Sequence, residues 1–170
     1  MEFESKIISR EIGQKLYESG MTLATAESCT GGRIGESVIA TPGSSTYFKG
    51  GIISYTNEVK ERLLNVDHQL IEEKTAVCED VAIAMVKGAI TTLDTTFAIA
   101  STGVAGPGGG TAEIPVGTIW LACGSADHIK TLKLDEDFGR DINLDIATNK
   151  ALKLFLEFLN ENVKTIEREG

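Results

Sequence analysis

Histidine is scarce in this chain. There are two, His68 and His128, in 170 residues. Neither stands at ligand spacing from a cysteine or from the other, and no C-x-x-C or H-x-x-x-H pattern occurs, so no metal site is expected. The same scarcity removes the Ser-His-Asp route to an activated serine, because no histidine lies near a candidate nucleophile. Cysteine is also sparse. Cys29, Cys78 and Cys123 are odd in number and far apart, which excludes a disulfide framework. No apolar run approaches the ~20 residues that cross a bilayer. The opening Met-Glu-Phe-Glu-Ser-Lys has no signal-peptide core. The expectation is a cytoplasmic protein without a membrane partner. Basic residues are in deficit, 16 Lys and Arg against 25 Asp and Glu, for a formal net charge of −9. That balance opposes non-specific binding to nucleic acid. A small anion held by a few local cations and backbone amides remains compatible with it.

What the chain does have is glycine beside hydroxyls. Thr25-Ala-Glu-Ser-Cys-Thr-Gly-Gly32 lies between a predicted strand, Met21 to Ala26, and a helix-like stretch, Gly35 to Ala40. A helix start offers unpaired N–H groups and partial positive charge, and Gly31 and Gly32 allow a ligand oxygen close to the backbone. A nucleophile there would have its oxyanion donors built in. By itself the segment also reads as an N-cap followed by a turn. Pro42 to Gly51 is a second small-residue loop, leading into the strand Ile52 to Tyr55. A third, Ser101 to Gly110, follows the strand Thr96 to Ala100. Three such loops at predicted strand ends suggest one shared site, since open α/β sheets bind ligands beyond the carboxyl ends of their strands.

The remaining pattern sets the fold class. Ile8, Ile12 and Leu16 mark a helix over residues 4–19, with Gly20 as its stop. Asn57 is expected to cap a helix carrying Lys60 in its first turn, and Asp80 to cap the helix of Val81, Ala82, Met85, Val86, Ala89 and Ile90. Pro115–Cys123 and Ile129–Leu134 read as an antiparallel hairpin, the second strand with one wet face. A last helix runs from Asp141 to Asn162. With 42% hydrophobic residues, no repeat and no linker, the chain reads as one three-layer α/β/α domain over 1–170 with a mixed sheet.

Familiar nucleotide motifs fail on context. Gly106-Pro-Gly-Gly-Gly110 leads to a strand and not a helix, so it is no dinucleotide fingerprint. No Gly-Lys-Ser/Thr phosphate loop exists. A serine hydrolase without histidine needs another base, and a lysine serves if its pKa is lowered by burial or a neighbouring cation. Lys60 is the candidate, with Tyr55 upstream to relay a proton or orient it. Read alone, Lys60 fits an exposed helix lysine paired with Glu58 or Glu61 better than a base.

Thr25–Gly32, Pro42–Ser45, Tyr55-Thr-Asn-Glu-Val-Lys60, Thr102-Gly-Val-Ala-Gly-Pro107 and Pro115-Val-Gly-Thr118 occur in this order. Together they resemble the CinA C-terminal domain family, the stand-alone nicotinamide-nucleotide amidohydrolases, over roughly residues 7–160. Longer CinA proteins carry an extra N-terminal domain for which 170 residues leave no room. The resemblance implies hydrolysis of the carboxamide of nicotinamide mononucleotide (NMN), giving nicotinate mononucleotide and ammonia in pyridine-nucleotide recycling. It implies no cofactor and no metal, NMN as the small-molecule partner, and leaves a homo-oligomer open. Carried onto this chain, it makes Ser28, Ser45, Tyr55 and Lys60 the catalytic set. Ser28 is preferred as nucleophile with Ser45 on the oxyanion, or the two roles are exchanged. Thr30, Gly31, Thr102, Gly103, Gly106 and Arg140 become substrate contacts, Arg140 and the glycine amides of 106–110 holding the phosphate. Ile114 stands where the family often has Lys, and Phe138-Gly-Arg140 stands where it has Gly-Asp-Arg. Two rivals stand beside this reading: Cys29 as a thiol nucleophile, and a nucleotide-binding regulatory module without turnover.

Overall fold

The computed structural model describes residues 3–163; residues 1–2 and 164–170 of the expected domain lie outside the described residues. The elements run α1 (Phe3–Ser19), β1 (Leu23–Glu27), α2 (Arg33–Ile39), a short 3-10 turn (Ser44–Thr46), β2 (Phe48–Ile53), α3 (Asn57–Leu64), α4 (His68–Lys74), α5 (Glu79–Leu93), β3 (Phe97–Gly103), β4 (Ile119–Gly124), β5 (Ile129–Leu134) and α6 (Arg140–Asn162). They form an α/β fold around one five-stranded mixed sheet, ordered β2-β1-β3-β4-β5. β1 is parallel to β2 and β3, whereas β4 is antiparallel to both of its neighbours, β3 and β5.

Strand alternation decides which helix covers which face. Ala24, Ala26, Ala98, Ala100 and Ala122 point one way and pack with Val81, Met85, Val86 and Ala89 of α5. These small side chains let α5 lie close to the sheet. Leu23, Phe97, Ile99, Leu121 and Cys123 point the other way, under α1 and α6. Phe97 meets Phe155 and Phe158 of α6 edge-on, at centroid distances of 5.7 and 5.6 Å. With α3 and α4 beside α5, and α2 beside α1 and α6, the sheet is covered on both sides.

Several boundaries differ from expectation for local reasons. β2 begins at Phe48 and includes Gly50 and Gly51, which read as loop. Pairing with β1 uses backbone alone, and a Cβ on Gly51 would stand 2.3 Å from Thr25 Oγ1. β4 begins at Ile119, because Pro115–Thr118 fold into a turn in which Thr118 N–H and Oγ1–H both donate to Pro115 O. Thr56, not Asn57, caps α3, its hydroxyl accepting from Val59 N–H. Asp80 lies inside the first turn of α5 behind Cys78 and pairs with Lys74. β5 has no purely wet face: Leu132 and Leu134 pack toward α6, Ile129 toward α5, and Lys130 reaches Glu157 and Glu161 on α6.

The parallel strands create one crevice. From central β1 the chain turns through α2 to β2 on one side, while β3 lies on the other. The connection leaving β1 runs through α2 on one face of the sheet and the connection leaving β2 runs through α3–α5 on the other, and such a reversal is where α/β sheets open for ligands.

Candidate active site

Ser28 is the residue after β1, at that crevice. Three bonds fix it. Its N–H donates to Ser101 O at 3.0 Å, its carbonyl accepts from Gly31 N–H at 3.1 Å, and its hydroxyl lies 2.8 Å from Lys60 Nζ. Lys60 reaches it from α3. Lys60 and Leu64, one turn apart, are both buried, so this face of α3 turns inward. The Lys60 side chain is 2% exposed and Nζ also donates to Ser54 O at 2.8 Å. Among the described residues no carboxylate touches it: Glu58 pairs with Arg62 and Glu61 with His68. Burial brings the Lys60 amine down from 10.5 to about 8, the nearby Cys29 thiol pulling weakly the other way. The exposed-lysine alternative is thereby removed.

Glu27 does not approach Lys60 either. It is 1% exposed and caps α2, with Oε1 accepting from Gly32 N–H and Ile34 N–H at 3.2 and 2.9 Å, and Oε2 from Gly35 N–H at 3.0 Å. This corrects the expectation of free helix amides for an oxyanion, since a carboxylate already occupies them. Within the Ser28 turn, the N–H groups of Cys29 and Thr30 donate to no carbonyl or other residue's side chain among the described residues.

Ser45 does not join the site. It is exposed on the 3-10 turn that precedes β2. Because β2 runs parallel to β1, with Phe48 opposite Leu23 and Ile53 opposite Glu27, a loop before β2 lies at the amino edge of the sheet, the far end from Ser28. Only two of the three glycine loops therefore share an edge. The second serine beside Lys60 is Ser54, whose carbonyl accepts from Nζ and whose buried Oγ has no partner among the described residues. Its place directly after an apolar strand was the available signal.

Other expected contacts are used internally. Thr30 Oγ1 donates to Glu27 Oε1 and bonds Ser101 Oγ, each at 2.7 Å, and it is buried. Thr102 Oγ1 donates to Ala76 O at 2.8 Å. Gly103 is glycine because a Cβ would stand 2.7 Å from Thr118 O across the β3–β4 pair. Gly106 has φ +87° with Val116 against it, and its carbonyl accepts from Arg140. Gly31, at φ +59° with open space around it, borders the serine directly.

Arg140 begins α6 and joins two sides of the mouth. Nη1 donates to Gly106 O at 2.7 Å and Nη2 to the Tyr55 hydroxyl at 3.3 Å. Tyr55 is 59% exposed, and its phenol meets Arg140 and neither Ser28 nor Lys60. Asn143, which sequence reasoning missed, ties this corner together: Nδ2 donates to Ala105 O and Asp137 Oδ1, and Oδ1 accepts from Phe138 N–H. Cys29, the rival nucleophile, is buried, and desolvation pushes its thiol up to about 11.

The model of the CinA C-terminal domain matches residues 5–159. Among curated proteins, the chain is 41% identical over 155 residues to a putative competence-damage inducible protein of Halothermothrix orenii, covering 91% of this chain and 38% of that one. It is 47% identical over 138 residues to a CinA-like protein of Synechocystis, covering 79% and 33%. The chain thus spans about a third of the length of these relatives. Among solved structures, the competence/damage inducible protein CihA from Agrobacterium tumefaciens superposes with TM-score 0.90 at 32% identity, over 93% of this chain and 97% of that one. A CinA superfamily protein from Escherichia coli gives 0.86 at 31%, over 90% and 89%.

Proposed function

The chain belongs to the CinA C-terminal domain family, and from that premise we propose that it hydrolyses the carboxamide of NMN to nicotinate mononucleotide and ammonia. The observation that carries the proposal is a lysine, 2% exposed and with no carboxylate partner among the described residues, whose amine lies 2.8 Å from a serine hydroxyl at the switch point of the sheet. A neutral amine has two N–H donors and one lone pair. With one N–H on Ser54 O, the lone pair is left to accept the Ser28 proton. Ser28 Oγ then attacks the carboxamide carbon. The developing oxyanion falls to the N–H groups of Cys29 and Thr30 rather than to Ser45, and one such donor is worth ~3 kcal/mol. As the C–N bond breaks, the Lys60 ammonium returns its proton to the leaving nitrogen and ammonia departs. Water, deprotonated by the same amine, cleaves the acyl-serine and releases the carboxylate.

The anionic end of the substrate belongs at Arg140, whose guanidinium already bridges Gly106 O and Tyr55. Tyr55 therefore acts at the phosphate side of the site and not as a proton relay. Ammonia release from NMN by the wild type, Ser28→Ala, Lys60→Met and Cys29→Ala tests the reading. Turnover should vanish in the first two variants and persist in the third. Tight NMN binding by a wild type that releases no ammonia would replace the hydrolase with a nucleotide-binding regulatory module.

A further inference from the structure

The charge that the serine–lysine chemistry leaves unused is Glu27. Its buried carboxylate accepts four bonds, from the N–H groups of Gly32, Ile34 and Gly35 and from Thr30 Oγ1–H. Three of these bonds fall on Oε1 and one on Oε2, and among the described residues no cation is hydrogen-bonded to it. Thr30 has one hydroxyl proton, which goes to Glu27. The oxygen of Thr30 therefore accepts from Ser101 Oγ–H at 2.7 Å. Ser101 is paired with Glu27 in the parallel β1–β3 register, and its carbonyl holds Ser28 N–H at 3.0 Å. These bonds close a ring around the turn that carries the nucleophile: Glu27 carboxylate, Thr30 hydroxyl, Ser101 hydroxyl and carbonyl, Ser28 N–H, and back along the chain to Glu27.

We propose that Thr30 is a positioning residue, its hydroxyl strapping the Ser28 turn between Glu27 and Ser101 so that Ser28 Oγ stays on the Lys60 amine and the Cys29 and Thr30 N–H groups face the same point. The proposal rests on the amidohydrolase reading. The Thr30 side chain is buried with its hydroxyl proton committed to Glu27, so the hydroxyl acts through Ser28 and not on substrate. Without the strap, the turn is held to β3 by one backbone bond. Gly31 and Gly32, both at positive φ, then leave it room to shift.

The test compares Thr30→Val, which keeps the shape and removes the hydroxyl, with Thr30→Ser, which keeps the hydroxyl. Thr30→Val should lower kcat for ammonia release from NMN by roughly a hundredfold, the scale of a misplacement of about 1 Å. Its KM should stay near that of the wild type. Its Tm should fall by no more than about 5 °C. Thr30→Ser should restore kcat to within about threefold of the wild type. The rate at which a fluorophosphonate phosphonylates Ser28, with loss of fluoride, should follow the same order. That rate separates the two ideas. A wild type labelled at Ser28 yet inert toward NMN refutes the substrate and leaves the strap supported if Thr30→Val slows labelling and Thr30→Ser recovers it. A folded Thr30→Val with wild-type labelling and turnover overturns the strap. So does a Thr30→Ser as slow as Thr30→Val, because the methyl packing would then be what matters.

Discussion

An ammonium held at the Lys60 position costs free energy that no ion pair among the described residues offsets. With the amine titrating at about 8 in the folded protein and near 10.5 when free, keeping it charged at neutral pH costs roughly 3 kcal/mol. The sign follows from proton binding. Below pH 8 both folded and unfolded chains hold the proton and the full cost stands. Between 8 and 10.5 the folded chain has released it, and the cost is relieved as pH rises. Lys60→Met fills the same space without charge, so it should raise stability at pH 7 by about 2–3 kcal/mol while abolishing activity, read by urea midpoints at unchanged m. For the wild type, kcat/KM should climb about tenfold per pH unit up to a pKa near 8 and then level. A flat profile from pH 6 to about 9 would remove Lys60 as the base.

Helices carry the site, so their packing controls it. The end of α3, one turn beyond Lys60, lies against the α5 backbone: a Cβ on Gly88 would sit 2.0 Å from Leu64 O. Gly88→Ala must push α3 away and should cost about 2–3 kcal/mol, with activity falling because Leu64 is one turn from Lys60. Activity at full wild-type level in a destabilised Gly88→Ala would uncouple the two helices from the chemistry. At the other side of the mouth, the start of α6 presents Arg140 to the glycine loop. Arg140→Ala should raise KM for NMN by roughly tenfold or more and lower kcat much less, since an anchor remote from the reacting carbon supplies uniform binding. An unchanged KM would leave Arg140 as a strut between Gly106 and Tyr55.

Across the molecule, the sheet divides into a covered centre and two edges. β1 and the first six residues of β3 are buried, whereas β2 alternates between half-buried and exposed residues and β5 is at most half-buried. Amide hydrogen exchange should therefore be slowest in β1 and β3 and should reach β2 and β5 at lower opening free energy, by about 2 kcal/mol or more. The nucleophile thus hangs from the most stable strand, and Lys60 follows one of the less stable edges. Among the described residues no helix is long and apolar enough to cross a membrane.

The order of elements was readable from the chain itself. Helical spacing in residues 4–19, the alternation of alanine with larger side chains in β1 and β3, and glycine or hydroxyl punctuation are local signals, and local signals survive in one dimension. The family was readable too, because its motifs are contiguous strings. Direction was not. Pro42–Ser45 looks like Thr25–Gly32 in composition, yet it enters its strand instead of leaving one, and only parallel pairing with β1 puts Ser45 at the opposite edge from Ser28. The state of Lys60 was equally closed to sequence. Glu58 and Glu61 are its neighbours along the helix, but their partners are Arg62 and His68, and it is burial in the fold, against Ser28 and Ser54, that strips water from the amine. Hydroxyl roles were decided the same way: Thr30 and Thr102 carry groups able to meet a ligand, and the fold commits their protons to Glu27 and Ala76. A residue's type fixes what chemistry it can do; burial, strand direction and the partners that reach it first decide which of those it does.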